Sequence, residues 1–213
     1  MIRVLIADDH EVVGEGLRRL LGDQPDIVVV GCVENGREAV RVAVAESPDV
    51  VLMDYAMPEL NGVDAADMIR KRCPHTKIVM LSMHTDTEHV VRALRAGAAG
   101  YVPKKSAARE VVAAIREVTA GRRYLHRPLA DEVLARLTGP QALEDPLERL
   151  SSRERQVLQQ LAEGRSTNEI AMSLCLSPRT VETYRARMME KLDLRDFASL
   201  VRFAIQRGLV SLE

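Results

Sequence analysis

Apolar residues in the first 121 positions gather into near-continuous runs rather than an alternation. The runs lie near 2–7, 27–32, 49–53, 77–81 and 99–102. Such runs predict strands buried on both faces, as in a parallel sheet. The segments between them have helical spacing and helix start signals. Asn35-x-x-Glu38 and Thr85-x-x-Glu88 read as capping boxes, and Ser106 as the cap of the last helix. Strand and helix in alternation predict a parallel sheet covered by helices.

The pattern changes after Gly121. Arg127 to Leu137 carries one more helical stripe, through Leu129, Val133, Leu134 and Leu137. Thr138-Gly139-Pro140 and Glu144-Asp145-Pro146 then break it, so 122–148 reads as a partly helical connector with a flexible end. From Leu150 no strand pattern remains. Ser151-x-x-Glu154 and Ser166-x-x-Glu169 are capping boxes, and Ser177-Pro178 sets an N-cap before a proline at the first helical position. Gly164 ends the first helix. The predicted helices are 152–162, 167–173, 178–191 and about 196–207.

Composition supports two ordinary domains: 213 residues, 46% hydrophobic, no Trp and two Phe, so the cores must be aliphatic. The net charge of −1 hides an asymmetry, −4 before Arg149 and +3 from it onward. That division suits a cation site followed by a phosphate-contacting module. Cys32, Cys73 and Cys175 are scattered and show no metal or disulfide spacing. The chain enters a strand at once without a signal-peptide pattern, and no apolar stretch approaches the roughly 20 residues of a membrane span. A cytoplasmic protein without a membrane partner is the expectation.

Chemistry concentrates where the strands end. The first run ends in Asp8-Asp9, the third in Asp54, the fourth in Ser82, and the fifth leads to Pro103-Lys104. If the strands are parallel neighbours, three carboxylates, a hydroxyl and an ammonium converge on the crevice where open α/β sheets bind ligands. Clustered carboxylates repel and call for a cation, and oxygen ligands with open positions suit Mg²⁺. With that charge screened, Asp54 can attack phosphorus as a carboxylate nucleophile. Lys104 would neutralise phosphoryl oxygens and Ser82 would donate a hydrogen bond to one of them.

The set Asp8-Asp9, Asp54 with Met57-Pro58 and Asn61-Gly62, Ser82, Tyr101 and Lys104 resembles a two-component response-regulator receiver domain over residues 1–121. The resemblance implies a flavodoxin-like, doubly wound, five-stranded parallel sheet of order 2-1-3-4-5. It implies that Asp54 takes phosphoryl from a sensor histidine kinase. It further implies that Asp9, Asp54 and the carbonyl of Ala56 hold Mg²⁺, with Asp8 acting through water. Tyr101 is implied to swing inward once Ser82 moves to the phosphoryl group.

The two middle helices of the last domain make a helix-turn-helix candidate. Val181, Met188 and Leu192, with Tyr184 or Arg185 between them, mark the buried stripe of 178–191. Arg179, Glu182, Thr183, Ala186, Arg187 and Glu190 then face outward. Glu182, Thr183 and Arg187 can read base edges, and Arg179, Thr180, Arg185 and Lys191 suit phosphates. The plain alternative is a helical bundle with a solvated outer face. The stretches from Leu150 to Leu158, Glu163-Gly164, Asn168 to Ala171 and Ser177 to Arg185 resemble the LuxR-type four-helix DNA-binding domain over about 149–211. The whole chain thus resembles the NarL/FixJ group of response regulators, with an all-α domain at 149–213. The resemblance implies a homodimer on double-stranded DNA, the third helix of the domain in the major groove and the fourth contributing to pairing. Tyr184, where the family very often has His, and Arg187, where Asn is common, depart from it.

Three functions compete. A phosphorylation-controlled transcription factor uses both domains. A protein-binding adaptor would not need Arg179, Arg185, Arg187 and Lys191. A Mg²⁺-dependent phosphohydrolase would need a cap or a general acid near Asp54, and neither is visible. Ala56 offers no polar atom to an attacking water, so self-dephosphorylation is expected to be slow. His84 either hydrogen-bonds near the phosphoryl group or is an exposed loop histidine. His10, His75, His89 and His126 are expected at the surface or in loops.

Overall fold

The computed structural model describes residues 1–106, 108–125 and 145–210, together with Ala130, Glu132, Val133, Ala135 and Arg136. The strands are β1 (Ile2–Ala7), β2 (Ile27–Val33), β3 (Val50–Asp54), β4 (Lys77–Ser82), β5 (Gly100–Pro103) and β6 (Tyr124–Leu125). The helices among them are α1 (Glu11–Gly22), α2 (Gly36–Glu46), α3 (Gly62–Arg72), α4 (Thr87–Ala96) and α5 (Ala108–Thr119). All strands pair in parallel, in the order β2-β1-β3-β4-β5-β6.

The sheet has six strands where the sequence predicted five. Tyr124-Leu125 pairs with Gly100-Tyr101 and covers the expected edge. Two residues are too few to show a periodicity. Of the predicted helix at 127–137, the five described positions are helical, and the rest lies outside the described residues.

Successive side chains of a strand point to opposite faces, and the core divides accordingly. Leu5, Val51, Met53, Ile78 and Met80 face one layer, with Ala39, Ala65 and Val90 from α2, α3 and α4. Val4, Ile6, Val50, Leu52, Val79 and Leu81 face the other, with Leu21 from α1 and Ile115 from α5. Burial on both sides is why the runs read as continuous.

Local signals place the helix starts. Asn35 accepts from Glu38 N–H, and Asn61 accepts from Asp64 N–H. The start of α4 differs from the prediction: Asp86, not Thr85, is the N-cap, accepting from His89 N–H at 3.2 Å. Asp is the stronger cap, which moves the helix one residue on. Ser106 lies in a turn, and Ala107, which it would cap through, is outside the described residues.

A 3₁₀ turn, Pro146–Arg149, opens the second domain. Then come α6 (Ser152–Ala162), α7 (Thr167–Leu174), α8 (Pro178–Lys191) and α9 (Phe197–Gln206). Ser151 and Ser166 each complete a reciprocal capping box, and Ser177 caps α8 ahead of Pro178. Leu158, Ile170, Val181, Met188 and Leu200 meet in one apolar core.

Candidate phosphoacceptor site and DNA-reading face

Parallel pairing of β1, β3, β4 and β5 brings the predicted strand ends together. Asp54 pairs with Leu81 and Ser82 with Pro103, so the polar residues share one end of the sheet. Gly62 is needed here: a Cβ at that position would collide with the carbonyl oxygen of Asp54. Asp8 and Asp54 are each only 3% exposed. Lys104 Nζ lies 2.8 Å from Asp54 Oδ2 and 2.9 Å from Asp8 Oδ2. Burial pushes the Asp54 carboxyl up to about 7, against the opposing pull of Lys104, and the Asp8 charge adds to the rise. The same carboxylates hold the Lys104 ammonium above its usual range although burial works against it.

Metal-ligand atoms of Asp8, Asp9, His10 and Asp54 lie within 4.8 Å of one another. The three carboxylates fit a hard divalent cation by donor chemistry. His10 was expected to be an ordinary surface residue. It is exposed as expected, and its Nδ1 lies 2.9 Å from Asp9 Oδ1 and 3.3 Å from Asp8 Oδ1, at the rim of the acidic cluster. Ala56 follows Asp54 in the loop between β3 and α3.

Ser82 is 1% exposed, and its Oγ accepts from His84 N–H at 3.0 Å. Tyr101 is already fully buried, its hydroxyl donating to the His84 carbonyl at 2.8 Å. β6 covers that edge of the sheet. His89 corrects a surface expectation. It is buried in α4, its ring stacked on that of His84 with centroids 4.4 Å apart and planes 7° apart.

On α8 the side chains divide as the helical period requires. Val181 and Met188 are buried, whereas Arg179, Glu182, Thr183, Ala186, Arg187 and Glu190 are exposed. Several of the predicted contact residues already have partners. Thr180 shares a hydroxyl bond with the Ser177 cap, Glu182 accepts from Thr167, and Thr183 donates to the Arg179 carbonyl. Arg185 sits over the Phe197 ring, and Lys191 Nζ binds Glu154 at 2.7 Å. The guanidinium groups of Arg179 and Arg187 have no protein partner among the described residues.

A polar junction joins the two domains, and the sequence reading missed it. Gln159 of α6 is fully buried, its amide donating to the Met57 carbonyl at 2.8 Å. Glu163 accepts from Glu59 N–H at 3.0 Å, and Arg155 binds Asp64 at 2.7 Å. Arg92 of α4 donates to Tyr55 Oη, Asp145 and the Arg207 carbonyl. A cavity of about 220 Å³ remains beside these groups, lined by Val63, Arg95 and Leu209 among others. The outward face of α8 is not covered, since its residues stay exposed while α6 makes the contact. Gln159 lies between Leu158 and Leu161 in the sequence, and nothing in that pattern distinguishes it from a solvated polar residue.

Residues 4–116 match the family of the response regulator receiver domain, and residues 148–204 that of the bacterial regulatory proteins of the luxR family. The response regulator UvrY of Escherichia coli (strain K12) is 41% identical over 213 residues, 100% of this chain and 98% of that one. The response regulator GacA of Pseudomonas aeruginosa is 37% identical over 210 residues, 99% of this chain and 98% of that one. Among solved structures, a two-component response regulator of the LuxR family from Aurantimonas sp. SI85-9A1 superposes with a TM-score of 0.61 at 34% identity, covering 65% of this chain and 99% of that chain. The response regulator ChrA of a heme-sensing two-component system gives 0.51 at 29% identity, covering 98% of each. No helix among the described residues is long and apolar enough to cross a membrane. Receiver and helix-turn-helix domains in this order, matched over their full length by such relatives, make the chain a member of the LuxR-type response regulators.

Proposed function

We propose that this regulator is switched by phosphorylation of Asp54 and acts on double-stranded DNA through α8. The observation that carries the reading is Lys104 Nζ bridging Asp54 and Asp8 at the C-terminal ends of parallel strands. Asp54 Oδ attacks the phosphorus of a phosphohistidine on a sensor kinase. A mixed anhydride forms and the imidazole leaves with its bonding electron pair. Asp9, Asp54 and the Ala56 carbonyl, with Asp8 through water, would hold a Mg²⁺ ion, which would supply charge screening for the two approaching anions. The Lys104 ammonium shifts from Asp8 and Asp54 to the phosphoryl oxygens, and Ser82 donates to one of them. The product adds roughly −1.5 to −2 charge at the acceptor.

The loop that carries the acceptor is also the loop held by the helical domain. Met57, Glu59 and Asn61 all bond to α6. Rearrangement of this loop around a phosphoryl group weakens the junction, and Tyr101, already inward, keeps the His84 segment in step. Release frees the end of α9, where the Arg207 carbonyl is tied to Arg92. Two copies can then pair and bind adjacent half-sites, which raises affinity through effective concentration. The functional units are 1–121, the connector 122–148 and 149–213. Arg179 and Arg187 are the readiest DNA contacts, with Thr180, Glu182, Thr183, Arg185 and Lys191 joining after exchange of partners. The protein is a cytoplasmic switch rather than a turnover enzyme.

Capture of fragmented genomic DNA tests this, comparing Mg²⁺ plus a small phosphodonor with Mg²⁺ alone. Discrete sites enriched by the phosphodonor, and lost in Asp54→Asn, are expected. No enriched site in either state overturns the reading in favour of a protein-binding adaptor.

A further inference from the structure

The loop between β4 and α4 and the first turn of α4 assemble a second set of metal-ligating groups, separate from the acidic pocket. Ligand atoms of His84, Asp86 and His89 all lie within 4.8 Å of one another. His89 Nδ1 is hydrogen-bonded to Asp86 Oδ1 at 2.6 Å, which already brings an imidazole and a carboxylate together. We propose that His84, Asp86 and His89 form a site for a borderline divalent transition metal of the zinc class.

The donor set decides the class of ion. Two imidazole nitrogens and one carboxylate oxygen suit Zn²⁺ or its neighbours in the transition series, with a position left for water. The oxygen-only carboxylates at Asp8, Asp9 and Asp54 suit Mg²⁺ instead. The protonation states are favourable. Burial, with His89 beside it, holds His84 below the usual histidine range, which leaves a lone pair at neutral pH. Although burial opposes it, the bond from His89 draws Asp86 down to about 2, so the carboxylate is charged.

A second observation concerns His89 itself. Its side chain is 7% exposed, and Nε2 is buried with no hydrogen-bond partner. If Nδ1 carries the proton, Nε2 keeps a bare buried lone pair. If Nε2 carries it, the Nδ1 lone pair faces a carboxylate oxygen. An ion on Nδ1 replaces the hydrogen bond to Asp86 and makes that carboxylate a co-ligand, with the ring proton on Nε2. The His84 ring has to turn for this, because metal–imidazole bonds lie in the ring plane and the two rings now face each other. Both ends of the His84 backbone are tied to the switch groups, N–H to Ser82 Oγ and C=O to the Tyr101 hydroxyl. A bound ion therefore holds the segment that Ser82 must leave to reach a phosphoryl group. This coupling, unlike the site, rests on the function proposed above.

The full chain is titrated with Zn²⁺ by calorimetry in millimolar Mg²⁺, with Co²⁺ absorption as the coordination readout. His84→Ala and Asp86→Asn test the cluster; Asn keeps the helix cap, so α4 survives. Asp9→Asn removes a ligand of the acidic pocket. One equivalent bound by wild type and Asp9→Asn alike, with affinity at least tenfold lower in His84→Ala and Asp86→Asn, is expected. Absence of binding, binding unchanged in His84→Ala, or loss only in Asp9→Asn overturns the site. The coupling has its own arm: Zn²⁺ slows phosphorylation by a small phosphodonor in wild type and not in His84→Ala. Equal rates with and without Zn²⁺ on a loaded site overturn the coupling and leave the site standing.

Discussion

The side-chain oxygen of Gln159 accepts from both the backbone N–H of Asn61, at 2.9 Å, and its side-chain amide, at 3.1 Å. Asn61 caps α3, directly behind the loop that follows Asp54. One amide of the DNA-binding domain thus completes the hydrogen bonding of the receiver's acceptor loop. Gln159 is fully buried in this position, so these bonds depend on contact between the two domains.

Gln159→Ala is expected to open the junction. In the closed form the Asn61 N–H and the Met57 carbonyl lose a buried partner, at about 1–3 kcal/mol. A change of that size shifts the closed-to-open ratio roughly 5- to 150-fold. Small-angle scattering should report a larger radius, and DNA affinity without phosphodonor should rise. If neither moves, Gln159 is not a latch.

Gly208 supplies a test from the other side of the junction. A Cβ there would stand 2.8 Å from His89 Nε2 and 3.1 Å from Tyr55 Cε1, at φ +64°. Gly164 has φ +80° and no atom within 4 Å of its Cβ position. Both Ala variants carry left-handed strain of about 1–2 kcal/mol. Only Gly208→Ala also wedges the domains apart. Its interdomain cross-linking yield should fall well below that of Gly164→Ala, with helical circular dichroism equal in the two. Equal cross-linking would place the effect in backbone strain alone.

How much of this was legible follows from the kind of signal each residue leaves. Asp8, Asp54 and Ser82 stood out because apolar runs stop at them, and the parallel sheet turns a shared strand end into proximity. Pro178 and Ser177 marked the start of α8 because caps act within one turn. Arg155, Gln159 and Glu163 left no such mark. Helical periodicity identifies a polar face and is silent on whether water or another domain covers it. His89 was misread for a related reason: Asp86 and His89 become neighbours only once Asp86 caps the helix. Tyr124-Leu125 failed through length.

Asp54 gives the pH dependence. Its folded carboxyl sits at about 7 through burial, against an ordinary value of 3.8. Between these values the native state holds a proton that the unfolded chain has released. Stability without metal therefore falls as pH rises from about 4 to about 7, and levels off above that. Thermal melts in a chelating buffer should show this slope in wild type and a flatter one in Asp54→Asn. The variant should be the more stable of the two at pH 8. Parallel curves would mean that Lys104 keeps Asp54 ionised throughout.

Phosphoryl lifetime depends on what can hold an attacking water. Ala56 presents only a methyl group, and the His84 ring is stacked on His89 with Tyr55 edge-on to both. Neither side chain is placed to orient water at the acceptor, so loss of phosphate is expected to be slow. Ala56→Asn introduces an amide beside the acceptor. One hydrogen bond to the attacking water, at about 1 kcal/mol, accelerates hydrolysis roughly fivefold. His84→Ala changes the rate little, because the ring it removes belongs to the stack rather than to the reaction. Phosphate release from protein charged with a small phosphodonor measures both. An Ala56→Asn rate no faster than wild type would mean that water reaches phosphorus by a path the Ala56 side chain does not border.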